Sequence, residues 1–178
     1  MENCHFDFRT CKDSDADILY EAAGNYLSAN IQPYLSGTGT GLDRDALLEN
    51  IRQLSRKQHR PPIIVNAEDT PCGIYRITYH HANRYHELML HLWDARHLAK
   101  PVLRKIIDQA LRTERPEDNL LIEIPGYETE LKASADDLGL DHSGTIPNYL
   151  CHNGGLFHKY IYVVSSKKWH SRADSSEA

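Results

Sequence analysis

Absences narrow the field first. No apolar run in the 178 residues comes near the roughly 20 needed to cross a bilayer. The opening stretch, Met1 to Asp7, lacks the basic start and apolar core of a secretory signal, so a cytoplasmic setting is expected. Cysteine is sparse. Cys4, Cys11, Cys72 and Cys151 lie far apart without a C-x-x-C pair, a spacing that suggests neither a zinc site nor a disulfide framework. Positive charge is not in excess either. A formal net charge of −5 argues against nucleic acid and anionic membrane as partners and leaves small molecules, peptides or proteins.

What is present is the balance of a soluble folded chain, 40% hydrophobic and 25% charged. No repeat or linker divides it, so residues 1–166 read as one domain. Residues 167–178 are polar and read as a flexible tail.

Periodicity gives the elements. His5 to Arg9 alternates as a half-exposed strand. Ser14-Asp15-Ala16-Asp17 offers a cap and first-turn acids for a helix carrying Ile18, Leu19, Ala22 and Ala23, stopped by Gly24. Residues 31–41, with Pro33 and three glycines, read as a loop, and Asp43 caps a second helix. Ile63-Ile64-Val65 and Gly73 to Tyr79 form a hairpin around Glu68-Asp69-Thr70-Pro71, and His81 to Arg84 turns the chain into a strand from Tyr85 to Trp93. Pro101 suits the first turn of a helix with Val102, Leu103, Ile106, Ile107 and Leu111 on its apolar face. Leu120 to Ile124 is a buried strand, Tyr127 to Leu138 a helix stopped by Gly139, and Thr145–Cys151 with Leu156–Val164 a closing hairpin across Asn153-Gly154-Gly155. The order β-α-α-β-β-β-α-β-α-β-β fits an α/β domain in which a mixed sheet is covered by helices.

This order, with several motifs, resembles the GCN5-related N-acetyltransferases, in particular the branch acting on ribosomal-protein termini and polyamines. The motifs are Phe8-Arg9 with Ser14-Asp15-Ala16, Gly73-Ile74-Tyr75 after an acidic turn, Leu138-Gly139-Leu140, Gly144 to Tyr149, and Asn153-Gly154-Gly155. The likeness spans about His5 to Val164. It implies a mixed, mostly antiparallel sheet of about seven strands flanked by about four helices. It also implies acetyl-CoA or another acyl thioester as co-substrate, an amine acceptor on a small molecule or peptide, no metal, and in many members a homodimer.

The resemblance assigns a cofactor loop. The family pattern Gln/Arg-x-x-Gly-x-Gly/Ala falls on Arg96-His97-Leu98-Ala99-Lys100-Pro101, with Val102 following; Ala99 and Pro101 replace the small residues. Backbone N–H groups at that helix start would hold phosphate, and Arg96 and Lys100 add positive charge. Ala99 is tolerable only if it is not left-handed, and Pro101 removes one N–H. The carbonyl-binding N–H is placed at Leu92, Trp93 or Asp94. The family's cofactor-touching asparagine aligns with Glu128, and its thiolate-protonating tyrosine with Ala135.

Acyl transfer to an amine needs a base, a polarised carbonyl and a proton for sulfur. Glu87 and His91 share one face of the Tyr85–Trp93 strand, opposite Leu88, Leu90 and Leu92, and are the candidate bases. Each could equally be a hydrogen-bonded strand residue. Tyr149 is the candidate acid or a packed aromatic, and Tyr34 a pocket-lining or loop residue. His86 and His91, an odd number apart on one strand, face opposite ways, so the histidine cluster does not read as a metal site. Three functions follow: an acetyl-CoA-dependent N-acetyltransferase, a transferase taking its acyl group from a carrier protein, or a non-catalytic binding domain on the same scaffold.

Overall fold

The computed structural model describes residues 5–25, 45, 49, 61–80, 85–112, 119–152 and 155–175. Their order is β1 (Phe6–Thr10), a 3-10 turn (Asp13–Asp15), α1 (Ala16–Asn25), β2 (Ile63–Ala67), β3 (Thr70–His80), β4 (Tyr85–Leu92), a 3-10 turn (Arg96–Leu98), α2 (Ala99–Arg112), β5 (Asn119–Pro125), α3 (Thr129–Asp137), β6 (Asp141–His152), β7 (Gly155–Ser165) and α4 (Ser166–Ser175). The loop at 31–41 with Tyr34, and the turn at 81–84, lie outside the described residues; Asp45 and Glu49 are helical.

One seven-stranded sheet runs in the order β1-β2-β3-β4-β5-β7-β6. Every pairing is antiparallel except β4 with β5. A parallel neighbour needs a crossover connection, which α2 supplies between β4 and β5, whereas tight turns return the chain antiparallel. The β2–β3 turn shows the second case, with Glu68 (φ 48°) and Asp69 (φ 66°) both left-handed as a type I′ hairpin requires.

Opposed residues share a sheet face. Val65, Gly73 and Leu92 align across three strands, as do Tyr75 with Leu90 and Ile77 with Leu88. This face meets α2, whose Val102, Leu103, Ile106 and Ile107 are wholly buried, and α3, through Leu131 and Ala135. Each such aliphatic side chain contributes about 1.5–3 kcal/mol, enough to fix the start of α2 relative to β4. The helix α3 ends where Gly139 turns left-handed (φ 64°), with the Leu140 N–H reaching the Ala135 carbonyl.

The C-terminal segment is not the flexible tail expected from its polarity. From Ser166 it forms α4, and Trp169 is buried with its indole Nε1 donating to Asp108 Oδ1 of α2 at 2.7 Å. One aromatic side chain outweighs the solubility of its neighbours.

Candidate active site

β4 and β5 begin as a parallel pair and then separate. Tyr85, His86, Glu87 and Leu88 pair with Asn119, Leu120, Leu121 and Ile122. β4 continues to Leu92 and β5 to Pro125, but the register between them stops at Leu88 and Ile122. The β3 side supplies the reason. The Trp93 and Asp94 N–H groups both donate to the Cys72 carbonyl, at 3.0 and 3.2 Å. Two successive donors on one acceptor form a β-bulge, which bends its strand. The Trp93 indole, donating to the Pro71 carbonyl at 3.2 Å, adds a second tie to β3.

The bulge also decides which amide faces the gap. With Trp93 N–H directed at β3, the alternation of an antiparallel ladder directs Leu92 N–H the other way, toward β5. Of the three residues expected to supply the carbonyl-binding donor, Trp93 and Asp94 are therefore committed to Cys72, and Leu92 points into the opening.

Beyond the bulge the chain turns sharply into α2. Ala95 takes the left-handed conformation (φ 50°, ψ 37°), its N–H held by Asp94 Oδ1 at 2.7 Å. The Arg96–Leu98 turn and α2 follow directly, so the start of a 14-residue helix lies next to the parted strands.

Solved structures share this architecture. Spermidine N-acetyltransferase of Vibrio cholerae, crystallised with CoA and spermine, superposes with a TM-score of 0.73 at 11% identity, over 92% of this chain and 97% of that one. An N-acetyltransferase of Staphylococcus aureus Mu50 gives 0.67 at 14% identity, over 91% and 99%. A probable acetyltransferase gives 0.72 at 16%, over 93% and 95%. The fold is that of the GCN5-related N-acetyltransferases. No protein-family model matches the sequence, and no curated protein matches it significantly.

Within this acetyltransferase fold the cofactor-loop residues divide. Leu98, Ala99 and Val102 turn their side chains into the core, so only their backbone could meet a ligand. Ala99 is right-handed (φ −53°), which satisfies the condition its methyl group imposes; the strained position is Ala95 instead. The Leu98 and Ala99 N–H groups are engaged by the Ala95 and Arg96 carbonyls. Pro101 has no N–H to give. His97 and Lys100 are exposed, and Lys100 Nζ lies 3.2 Å from Asp137 Oδ2. Arg96 is half-buried near Glu130 of α3. The Glu130 carboxyl is held below its ordinary pKa first by its own backbone N–H and the Thr129 hydroxyl, and also by the Arg96 charge.

The two candidate bases occupy different ground. Glu87 lies in the zipped half, its Oε2 2.7 Å from His80 Nε2, and is partly exposed. His91 lies in the parted half and is fully buried; its Nδ1 is 2.7 Å from Oε1 of Glu128, itself buried. Glu128 stands at the N-cap of α3, so the contact joins the C-terminal ends of the two separated strands. His86 faces the opposite side, aligned with Tyr79 in the β3–β4 ladder. Tyr149 stands on the edge strand β6, 55% exposed, with Lys159 Nζ 4.2 Å from its ring centre. Ala135 is buried against the core and brings no acid.

Sequence reasoning missed Glu128 as a partner of His91, and Glu123, whose Oε2 binds Lys159 Nζ at 2.7 Å on the face shared with Glu87. The signal for Glu123 was a carboxylate in an otherwise apolar stretch, and for Glu128 a departure from the asparagine that the resemblance leads one to expect. Burial disfavours the thiolate of both described free cysteines, pushing the thiol pKa of Cys11 up to about 12 and that of Cys72 up to about 11.

Proposed function

We propose that the protein is an N-acyltransferase, moving an acyl group from a thioester to a primary amine by direct attack. The observation that carries this reading is the separation of β4 from β5 beyond Leu88 and Ile122, with Leu92 N–H directed into the opening. A strand pair gives up its ladder at a cost unless something else takes up those hydrogen bonds. A pantetheine arm, which is amide-bearing and extended, has the right chemistry for that. The thioester carbonyl would accept from Leu92 N–H, a donor that gains strength as negative charge develops on oxygen. Arg96, His97 and Lys100 at the start of α2 would face the phosphate end, with Trp93, Asp94 and the backbone of Leu98, Ala99, Pro101 and Val102 framing it.

The acceptor would approach the face carrying Glu87 and His91, where the Glu87 carboxylate favours a cationic amine; Glu123 on that face is already paired with Lys159. Spermine and spermidine, the amines named for the Vibrio cholerae enzyme, and peptide N-termini are the first acceptors to test. Attack by the amine itself needs no covalent enzyme intermediate, consistent with the raised thiol pKa values. A reducing, cytoplasmic setting suits those thiols. The exposed edge of β6 is where a second copy would add to the sheet.

A second reading has its own support. With the Leu98 and Ala99 amides engaged and Pro101 lacking one, the helix start offers few donors to a diphosphate. An acyl carrier protein presents its thioester on an arm with a single phosphodiester, which asks for fewer. The deciding experiment is a thermal-shift titration with CoA and acetyl-CoA, paired with turnover assays on spermidine and a peptide amine. The assays are run with acetyl-CoA and, separately, with a loaded carrier protein as donor. A rise in Tm with CoA and turnover from acetyl-CoA are expected under the first reading. Turnover from the carrier protein alone selects the second. No transfer from either donor leaves a binding domain on a transferase scaffold and overturns both.

A further inference from the structure

We infer that His91 and Glu128 form a catalytic dyad in which Glu128 orients the imidazole and His91 carries the proton from the amine to the departing sulfur. The inference rests on the acyltransferase reading above. Three observations lead to it.

The first is position. His91 immediately precedes Leu92, the residue whose N–H faces the gap, and it lies in the half of β4 that has left β5. Its side chain shares a face with Glu87, on the side opposite the α2 core. Any thioester lodged between the strands would therefore lie beside this ring.

The second is the contact itself. His91 Nδ1 and Glu128 Oε1 are 2.7 Å apart, with side-chain exposures of 1% and 7%. Removing a carboxylate and an imidazole from water is expensive, and an apolar pair of similar volume would hold two strand ends together at least as well. A carboxylate at Nδ1 fixes the ring with Nδ1–H as donor and Nε2 as the basic nitrogen. Glu128 is thus a positioning residue acting through His91.

The third is elimination of the alternatives. The helix position from which this fold's relatives are expected to supply a tyrosine holds Ala135, which has no proton to give. Tyr149 is on the far edge strand, more than half exposed. Glu87 is engaged by His80 in the zipped segment.

The step balances without another reactant. The attacking nitrogen must be neutral, so an acceptor that binds as an ammonium first releases one proton to solvent. As that neutral nitrogen bonds to the thioester carbon, the proton it then sheds passes to Nε2. As the carbon–sulfur bond breaks, the same proton passes from Nε2 to sulfur. One amide and one thiol result, and the imidazole ends as it began.

The test uses the full chain. Long-range 1H–15N spectra should show His91 protonated on Nδ1, and Glu128→Leu should lose that preference. In steady-state assays His91→Gln should lower kcat by about 100-fold or more, the range of general acid–base groups. Glu128→Gln, which keeps a hydrogen-bond acceptor, should lower it less than Glu128→Leu, with the donor KM changed by no more than about twofold in each. Added imidazole should restore His91→Ala when Glu128 is present and fail to do so in the His91→Ala, Glu128→Leu double variant. Equal kcat in wild type and both Glu128 variants, or a ring protonated on Nε2, overturns the dyad while leaving the acyltransferase reading intact. A wild-type protein inert toward every thioester overturns that reading and the proton-carrier role together. A folded melting transition in each variant separates these results from loss of structure.

Discussion

Gly73 sits opposite Leu92 in the β3–β4 ladder with no room for a side chain between them. A Cβ at Gly73 would collide with Leu92 Cδ2 and stand 2.8 Å from the His91 carbonyl oxygen. β3 therefore holds the bulged end of β4 at the closest approach that backbone permits. Gly73→Ala should destabilise by about 1–3 kcal/mol through overpacking, lowering Tm by about 2–10 °C for a domain of this size. It should also displace Leu92 and cut kcat/KM for acyl transfer by about 10–100-fold, since small misplacements are costly in catalysis. Gly144→Ala, where a Cβ meets nothing within 4 Å, is the matched control and should leave Tm and activity unchanged. A normal melting curve and full activity for Gly73→Ala would remove the close approach as a determinant of the gap.

The docking of α4 predicts a stability role for a segment rich in polar residues. Trp169→Ala removes a buried indole and its hydrogen bond to Asp108, and should cost about 3 kcal/mol in urea unfolding, within the range for large buried aromatics. Asp108→Asn, which leaves the ring in place, should cost about 1 kcal/mol. If truncation after Ser165 left the unfolding midpoint unchanged, α4 would contribute nothing to the fold.

How much of this was legible follows from the range of each interaction. The strands, the β2–β3 hairpin and α2 and α3 all declare themselves within a dozen residues, through alternation, helical spacing or a left-handed glycine such as Gly139. The separation of β4 from β5 does not. It depends on Cys72 accepting from both Trp93 and Asp94 and on the close approach that Gly73 allows, contacts between residues some twenty positions apart that no short window of sequence records. Likewise Glu128 reads in sequence as a departure from an expected asparagine, and only the fold brings it to His91, 37 positions earlier. α4 was missed because composition averages over a window, whereas docking depends on one tryptophan.

Asp15 gives a pH dependence. Its carboxyl is buried, which opposes ionisation, but two bonds from Arg9 (Nη1 and Nη2, each 2.7 Å) and one from the Lys12 N–H outweigh that. The pKa is held below the ordinary value near 3.8. A carboxyl with a lowered folded-state pKa contributes stability that is fully present above the unfolded value, roughly 3.9. That contribution is lost as pH falls through the folded value. Urea unfolding should therefore show a loss of stability below about pH 4 that Asp15→Asn abolishes, together with lower stability of that variant at pH 7. Parallel pH profiles for the two proteins would show that the pair is not ionised as drawn.

Under the proposed acyl transfer, Glu87 would meet the acceptor rather than the donor. It sits in the zipped segment beside His80 and on the same face as Glu123. Glu87→Gln should raise the KM for a cationic amine by about tenfold, equivalent to about 1.4 kcal/mol of lost binding. The CoA-induced shift in Tm should be untouched. An uncharged amine analogue should show a smaller penalty, because only the Coulombic part is removed. An equal penalty for charged and uncharged acceptors would assign Glu87 to the chemistry instead.

Arg96 tests the donor end of the site. Lys100 is about half exposed and engaged with a more exposed Asp137, an arrangement in which a single charge is worth little. Arg96 is half-buried where the bulged strand turns into α2, and it gives the helix start its least solvated positive charge. Arg96→Glu should weaken CoA binding by about 10–100-fold, with the loss shrinking as salt is raised. The discriminating substrate is acetyl-N-acetylcysteamine, which keeps the thioester and drops every phosphate. With that donor Arg96→Glu should turn over at the wild-type rate, because the parted strands, Leu92 N–H and His91 are all left in place. If the truncated thioester suffers as much as acetyl-CoA does, then Arg96 shapes the turn into α2 rather than holding a phosphate. In that event the anion site must be sought elsewhere along the start of the helix.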